Sequence, residues 1–490
     1  MTAHSSPQSL MSVDHTEVSD NHCSSRRSFL SHSAGGLSGI ALAMLFSGES
    51  PAAAEGSRLP LHRPRAKRIV QLFMNGGASQ MDLFDYRPEL NKRHGEKFDP
   101  GDGSRVEAPT SEPGKLMKSP FPFRQHGECG RWVSNQFPHL ANCVDDIAFL
   151  LAMQSRTNVH GPASFLMNTG FLLPGFPSLG AWVSYSLGSL SENLPVFIVL
   201  PDPRGLPYNN RGNFTSGFLS VTHSGTVINT AAADPINDIR PPTSAKYITQ
   251  PSEREGLSLL RSLNAEHAAN RPGDSRLEAR IASYELAARM QLAAPEAFDV
   301  SGETAATQQL YGMHEPVTAD YGKRCLLARR LLERGVRFVQ VWSGAGGASN
   351  NWDNHTDIIG ELPKMTTATD KPIAGLLHDL KARGMLEDTL VVWSTEFGRM
   401  PFTQGATGRD HNGGTGIGWL AGGGVKPGVA YGESDLWSWK AAHNKTTNYD
   451  LHATILHLLG LEHERLTYRH NGADRRLTDV HGRVIAEVLA

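Results

Sequence analysis

One pattern in the C-terminal third of the chain constrains its fold more than any other: a helix, a glycine and a strand follow one another twice. Residues 324–334 (RCLLARRLLER) have helical hydrophobic spacing and stop at Gly335, and residues 337–342 (RFVQVW) then form an apolar run. The same order recurs over residues 373–393 (IAGLLHDLKARGMLEDTLVVW). Glycine favours the end of a helix because it adopts the left-handed conformation at low cost. This alternation predicts parallel strands covered by helices.

Three further apolar runs, at residues 68–74, 147–151 and 195–200, have the length and composition of buried strands. Residues 85–130 are rich in proline, glycine and charge, and residues 202–300 combine a loop with a helical pair. We therefore predict an α/β fold with a mostly parallel sheet sandwiched by helices, and with loop and helical insertions in these two regions.

Composition excludes several classes of protein. The 490 residues include 47 basic and 49 acidic side chains, so the formal net charge is −2 and no basic domain for nucleic-acid binding is expected. Hydrophobic residues make up 39% of the chain, which is enough for a globular core. No run approaches the roughly 20 apolar residues of a membrane-spanning helix, so we expect no integral membrane span after removal of the N-terminal segment.

The N-terminal segment has the features of an export signal. Arg26 and Arg27 precede an apolar run diluted with glycine and serine, residues 34–46, and residues 52–54 (AAA) offer a site for signal peptidase. Adjacent arginines in this position are typical of the twin-arginine pathway. We predict that residues 1–54 are a twin-arginine signal peptide, that residues 55–490 form a single domain, and that the protein is periplasmic or secreted.

Polar residues follow the predicted strands in four short motifs: NGGASQMD, WDNH, STEFGR and GRDHNGG. Ligands in parallel sheets bind beyond the carboxyl ends of strands, so folding would bring these motifs together. Mixed carboxylate and imidazole groups are the ligands of Zn²⁺, and oxygen-rich variants suit Ca²⁺, Mg²⁺ or Mn²⁺. We predict a divalent metal site of unspecified identity. Its candidate ligands are Asp82, Asp353, His355, Glu396 and His411.

The run HGPASFLMNTG, at residues 160–170, resembles the sulfatase signature at its Pro, Met, Thr and Gly positions, and TEFG at residues 395–398 resembles a second sulfatase motif. The order of the motifs is similar to that of the alkaline phosphatase superfamily. The whole mature chain also resembles the twin-arginine-exported, sulfatase-like family called domain of unknown function 1501. The matching phrases include MNGGASQMDLFD, PSLGAWVSYSLGS, NLPVFIVL, STEFGRMP and GRDHN.

This resemblance implies an alkaline phosphatase/sulfatase-like fold that holds divalent metal beneath a phosphate or sulfate ester. His160 stands where sulfatases have Cys or Ser, so the resemblance leaves open whether it is a nucleophile, a metal ligand, an acid/base or only a helix-capping residue. Arg399 is the candidate for binding the anion. Asn75 follows the first strand where the superfamily has Asp, and Asp82 is the alternative for that ligand position.

Two functions are consistent with these features. The first is an exported, metal-dependent hydrolase of phosphate or sulfate esters, with a small-molecule or glycan ester as substrate. The second is a non-catalytic sulfatase-like protein that binds a glycan or a cell-envelope partner. The fold resemblance alone does not decide between them, because one fold hosts many functions.

Overall fold

The computed structural model describes residues 61–231 and 249–490, apart from residues 102, 104, 105 and 107. The predicted signal peptide, residues 1–54, lies outside the described residues, so its assignment stays a prediction. None of the helices in the described residues combines the length and the apolar character that a membrane crossing requires.

The strands of the described residues are short, and most lie in one sheet or in small two-stranded ribbons. They are β1 (Arg68–Met74), β2 (Phe123–His126), β3 (Arg131–Ser134), β4 (Ile147–Gln154), β5 (Phe197–Leu200), β6 (Thr226–Val227), β7 (Phe338–Ser343), β8 (Thr389–Ser394), β9 (Gly398–Gln404), β10 (Gly408–Asn412), β11 (Gly416–Ala421), β12 (Ala430–Tyr431), β13 (Glu433–Ser434), β14 (Ala441–His443), β15 (Thr446–Thr447), β16 (Tyr468–His470) and β17 (Ala473–Arg475).

The α-helices of the described residues range from single turns to helices of more than 20 residues. They are α1 (Gln80–Leu83), α2 (Pro88–Lys92), α3 (His160–Thr169), α4 (Leu179–Leu187), α5 (Gln250–Ala269), α6 (Ser275–Phe298), α7 (Ala305–Leu310), α8 (Ala319–Glu333), α9 (Ile358–Ala382) and α10 (Asn448–Leu458).

Nine strands form the central sheet, in the order β12-β4-β11-β8-β1-β7-β5-β6, with β15 also paired to β4. All neighbours are parallel except β11, which runs antiparallel to both β4 and β8. The carboxyl ends of β4, β8, β1, β7 and β5 therefore meet at one edge. The predicted α/β fold with a mostly parallel sheet is confirmed.

The sheet is buried on both faces, as its apolar strands require. Along β1, Val70 and Leu72 join the hydrophobic core that includes α8 and α9, whereas Ile69 and Phe73 join the core that includes α4 and α10. Alternate residues of a strand point to opposite faces, so one apolar strand supplies both cores.

Helix α9 begins earlier than the sequence pattern indicates. Its amphipathic repeat was predicted from residue 373, yet the helix starts at Ile358 and contains Pro363 and Pro372. Asp357 caps its amino end by accepting a hydrogen bond from the amide of Gly360 at 3.1 Å. Proline ordinarily breaks a helix interior, so packing of the buried face outweighs that local preference here.

The two regions predicted as insertions contain mostly peripheral structure. Residues 85–130 include α2 and β2, and β2 pairs with β3 as a hairpin. Residues 202–300 include α5 and α6, but also β6, which pairs in parallel with β5 at the end of the main sheet. The part predicted as loop therefore contributes a two-residue edge strand.

A candidate metal centre at the carboxyl edge of the sheet

Five of the predicted site residues are placed at the carboxyl edge by the elements that precede them. His160 is the first residue of α3, shortly after β4, and Asp353 and His355 lie in the connection that follows β7. Glu396 comes two residues after β8, and His411 lies in β10, which pairs with β9 as a hairpin. Residues more than 200 positions apart thus meet at one place, as the parallel topology predicts.

Four of these side chains converge on one point. The carboxylate oxygen Oδ1 of Asp353 lies 2.8 Å from Nε2 of His355 and 3.2 Å from Nε2 of both His160 and His411. The Nε2 atoms of His355 and His411 are 2.7 Å apart. One ligand atom from each of the four residues lies within 4.8 Å of the others. Three imidazoles and one carboxylate therefore present their donor atoms to a single small volume.

The second ring nitrogen of each histidine is held by an oxygen atom outside this volume. The pairs are His160 Nδ1 with Glu396 Oε1 at 2.6 Å, His411 Nδ1 with the backbone oxygen of Asn158 at 2.8 Å, and His355 Nδ1 with Oε1 of Gln404. A carbonyl oxygen only accepts, so in the last two pairs the Nδ1 atom carries a proton, and in the neutral form of each ring Nε2 then carries a lone pair. Metal-bound histidines show this arrangement because the outer oxygen fixes the tautomer and the ring orientation.

These donors fit a metal ion better than they fit one another. With both rings neutral and protonated on Nδ1, the Nε2 atoms of His355 and His411, 2.7 Å apart, bring two lone pairs face to face. The Nε2 atom of His160 is buried and lies 3.2 Å from Oδ1 of Asp353, but it is not aligned for a hydrogen bond there. A buried polar atom without a partner is costly, and a cation at the centre would satisfy all of these groups at once.

Electrostatics favour an anionic Asp353 and a neutral His411 at the centre, whereas they favour the protonated form of His160. Burial favours the neutral form of Asp353, but its contacts with His160, His355 and His411, and then with Arg399, hold its pKa well below the usual range. Burial, only partly offset by Asp353, lowers the pKa of His411 to about 4, so that this imidazole is neutral at pH 7. Burial also acts on His160, but contacts with Asp353 and Glu396 raise its pKa overall. The carboxylate of Asp353 is thus anionic, and the imidazole of His411 is in its neutral form, with a proton on Nδ1 only.

Glu396 supports the cluster from behind rather than joining it. Its Oε1 accepts hydrogen bonds from the Nδ1 of His160 and from the amide of Gly76 at 2.8 Å, and its Oε2 accepts one from the hydroxyl of Thr395 at 3.2 Å. The sequence pattern predicted Glu396 as a ligand. Its oxygens are instead occupied in orienting His160.

Arg399 does not reach the position that the sequence predicted for it. Its side chain is 1% exposed, and its Nη2 donates to Oδ1 of Asp353 at 2.7 Å. Its other donors go to backbone oxygens of the loop after β1 and of β10, including Gly77 at 2.7 Å and Arg409 at 3.0 Å. The guanidinium of Arg399 is thus buried and bonded to Asp353 and to backbone oxygens, so it is not open to a substrate anion in this structure.

Asp82 and Asn75 are the two alternatives for the ligand after the first strand, and Asp82 lies outside the four-residue group. Asp82 is fully buried in a two-point ion pair with Arg409, at 2.6 and 3.1 Å. Asn75 donates from Nδ2 to the backbone oxygens of Gly344 and Ala345. Each side chain thus ties two segments together. The carboxylate of Asp82 is thus occupied by Arg409, whereas Oδ1 of Asn75 is buried and has no hydrogen-bond partner among the described residues.

Gly76 lets the β1 loop approach the Asp353 segment closely. It has φ of +121°, and a Cβ atom there would lie 2.6 Å from the backbone nitrogen of Asp353. Only glycine adopts this conformation and this approach without strain.

The sequence also places the chain in a family. Residues 66–489 match the family described as "Protein of unknown function (DUF1501)". The chain belongs to the DUF1501 family. The sequence resemblance to this family is thereby confirmed, whereas the export signal that accompanies it stays a prediction. A search of curated proteins found no match.

Several solved structures are remotely similar to the chain. The PsFucS1 sulfatase from Pseudoalteromonas sp. is 12% identical with a TM-score of 0.35, over 81% of this chain and 68% of that chain. Alkaline phosphatase from the Antarctic bacterium TAB5 is 12% identical with a TM-score of 0.31, over 81% and 98%. The lipoteichoic acid synthase LtaP from Listeria monocytogenes is 9% identical with a TM-score of 0.33, over 85% and 75%.

Sequence reasoning missed the residues that surround the histidines. Gln404 ends β9, Asn158 contributes only a backbone oxygen, and Tyr208 lies in a region predicted as loop. The Tyr208 ring stacks on His160 with centroids 4.4 Å apart and planes 6° apart. No motif marks these positions, because each acts through its place in the fold.

Proposed function

We propose that this DUF1501 protein is an exported, metal-dependent hydrolase of phosphate or sulfate esters, in which His160, Asp353, His355 and His411 hold one divalent ion. A single observation carries the proposal: three Nε2 atoms and one carboxylate oxygen converge while each Nδ1 atom is held by an oxygen from outside.

The donor set narrows the choice of metal. Ca²⁺ and Mg²⁺ prefer six or more oxygen ligands, including water, and three imidazole nitrogens suit them poorly. Imidazole with one carboxylate suits Zn²⁺ and also other transition metals such as Mn²⁺. Of the ions that the sequence left open, we propose Zn²⁺ first and Mn²⁺ second.

The residues around the centre divide the work of hydrolysis. A divalent ion held here supplies Lewis acidity toward an ester oxygen and lowers the pKa of a water molecule. Glu396 keeps the imidazole of His160 oriented, and Arg399 does the same for the carboxylate of Asp353. His355 has the most exposed side chain of the four, at 24%, so the ester approaches from that side.

The nucleophile in this proposal is water. The first residue of α3 is a histidine whose two ring nitrogens face Glu396 and Asp353. The side of its ring that stacks on Tyr208 is closed to a reacting group. His160 is therefore assigned as a ligand, not as a residue that attacks the ester.

One observation favours the non-catalytic alternative, in which the ion only stabilises a glycan-binding or cell-envelope-binding protein. Four protein ligands complete a tetrahedral shell, and closed shells of this kind are typical of structural zinc sites. Catalysis needs a fifth position at the ion, whereas binding does not.

The discriminating experiment measures metal content and turnover on the same purified chain. We expect about one equivalent of metal by mass spectrometry, and its loss in His355→Gln. The matched control is His452→Gln, a buried histidine outside the cluster, which should retain the metal. Turnover of 4-nitrophenyl phosphate or 4-nitrophenyl sulfate in proportion to metal content supports the hydrolase. Bound metal without turnover of either ester supports the alternative, and a chain that takes up neither Zn²⁺ nor Mn²⁺ refutes the metal-dependent hydrolase and favours the non-catalytic binding protein.

Export is tested separately. Replacement of Arg26 and Arg27 by lysine should keep the protein in the cytoplasm if these residues form a twin-arginine signal. Unchanged delivery of the variant to the periplasm would contradict the localisation that we propose.

A further inference from the structure

An open groove of about 430 Å³ lies beside the metal centre. Its walls are residues 154–158, which connect β4 to α3, and residues 412–414, which connect β10 to β11, with Met400, Trp439 and Lys440 completing it. Its volume is within the range of small-molecule sites.

The groove shares its backbone with two of the metal ligands. Asn158 is two residues before His160, and its backbone oxygen accepts the hydrogen bond from Nδ1 of His411 at 2.8 Å. On the other wall, Asn412 directly follows His411. A molecule in the groove therefore lies next to the metal centre.

The groove is positively charged. Its lining includes two cations, Arg156 and Lys440, and no carboxylate. Neither cation has a carboxylate partner within 4.0 Å in the part of the chain that the structure describes. Arg156 donates from Nη1 to the hydroxyl of Tyr449 at 3.2 Å, and Nζ of Lys440 lies 3.8 Å from the centroid of the Trp439 ring.

Arg156 and Lys440 supply what the metal centre lacks, which is a positively charged side chain that is open to an anion. Arg399 is the cation nearest the candidate metal ligands. It is buried, and it donates its hydrogen bonds to Asp353 and to backbone oxygens. Arg156 and Lys440 are exposed and open to the groove. The lining also includes Ser155, Thr157 and Asn158, whose hydroxyl and amide groups suit the hydroxyls of a sugar.

We infer that this groove binds a second anionic group of the substrate, carried on a sugar unit, while the ester lies at the metal centre. The inference rests on the proposed function, since it assigns the remainder of the same substrate. It names the substrate class as an ester of a glycan fragment that bears a further carboxylate, sulfate or phosphate.

The test uses the metal-loaded protein and three probes measured by calorimetry: trigalacturonate, maltotriose and a sulfated heparin disaccharide. We expect at least one anionic sugar to bind 10-fold or more tightly than neutral maltotriose, with an affinity that falls as salt is raised. Arg156→Gln combined with Lys440→Gln should abolish that preference. The matched control, Lys426→Gln combined with Arg465→Gln, removes two exposed cations that do not line the groove and should leave it intact.

Three outcomes would overturn the inference: no preference for either anionic sugar, a preference that survives the groove variant, or an equal loss in the control variant. The proposed function fails differently. If anionic-sugar binding is lost only in the groove variant but no ester is hydrolysed, the groove assignment stands and the hydrolase does not. If esters are hydrolysed but the groove variant and its control have equal KM values for substrates with a second charge, the groove assignment falls alone.

Discussion

Two carboxylates at the same edge of the sheet, the fully buried Asp82 and the largely buried Asp353, have opposite surroundings. Asp82 receives two hydrogen bonds from Arg409, so its negative charge is balanced by a cation of the chain itself. Asp353 receives one from Arg399, but three imidazole nitrogens also crowd the same oxygen. The first group is complete within the protein. The second gathers one carboxylate oxygen and three imidazole nitrogens in one place, and this is the group that could hold a metal ion.

The largest effect on stability should come from breaking the ion pair between Asp82 and Arg409. Asp82→Asn leaves Arg409 buried without its counter-charge, and removing one partner of a buried pair costs about 3–5 kcal/mol in the free energy of unfolding. Metal content should stay at the level of the unchanged protein. Chemical denaturation and metal analysis of the same preparation check both expectations. Loss of metal from a folded Asp82→Asn protein would return Asp82 to the list of ligands.

His452 is a buried histidine outside both carboxylate groups, and it should make the stability of the protein depend on pH. His452 donates from Nε2 to the backbone oxygen of Met167 at 2.9 Å, and burial lowers its pKa to about 4. The unfolded chain, with a pKa near 6.5, binds the proton first, so this residue costs stability as the pH falls from 6.5 to 4, by up to about 3 kcal/mol.

His452→Gln keeps the donor but cannot be protonated, so we expect its stability to fall less than that of the unchanged protein over this pH window. Denaturant midpoints at pH 7, 5.5 and 4.5 measure the difference. Parallel curves for the two proteins would show that His452 is not the titrating group.

Asp353→Asn changes the group of four converging donors, His160, Asp353, His355 and His411. It keeps the shape of the side chain but removes the only carboxylate among the four converging donors. We expect metal affinity to fall by at least about 100-fold, or about 2.7 kcal/mol, since a ligand should matter more than the oxygens behind it. Competition with a chromophoric chelator gives the value. An unchanged affinity would place the ion elsewhere.

Glu396→Gln should have the smallest effect. Glutamine still offers an oxygen to Nδ1 of His160, but it lacks the negative charge that makes Nε2 of that imidazole a stronger metal ligand. A loss of metal affinity of about 10-fold is expected, the low end for residues behind a ligand. A loss as large as that in Asp353→Asn would instead show that Glu396 is itself a ligand.

The fold was largely predictable from sequence because its signals are local. The apolar run at residues 389–393 became β8 (Thr389–Ser394), and the run at 337–342 became β7 (Phe338–Ser343), each shifted by one residue at most. Periodicity and a glycine at the end of a helix need no distant partner to be recognised.

The site was only partly predictable because its signals are not local. Strand-end position correctly brought Asp353, His355 and His411 together, but it gave Asp82 the same weight. The two aspartates differ in the partner each one meets, and Arg409 is 327 residues from Asp82 along the chain. The role of Arg399 was missed for the same reason: its burial depends on the loop after β1.

Strand β11, which is antiparallel to its neighbours in the central sheet, has a consequence for the order in which the protein is assembled during synthesis. Strand β4, which leads to His160, pairs among the described residues only with β11, β12 and β15, and all three come after residue 415. A ribosome-bound chain that stops before β11 therefore has its earliest ligand segment outside the sheet. The four donors can therefore meet only after β11 (Gly416–Ala421) has been made, and we expect a metal ion to be taken up after that point rather than before it.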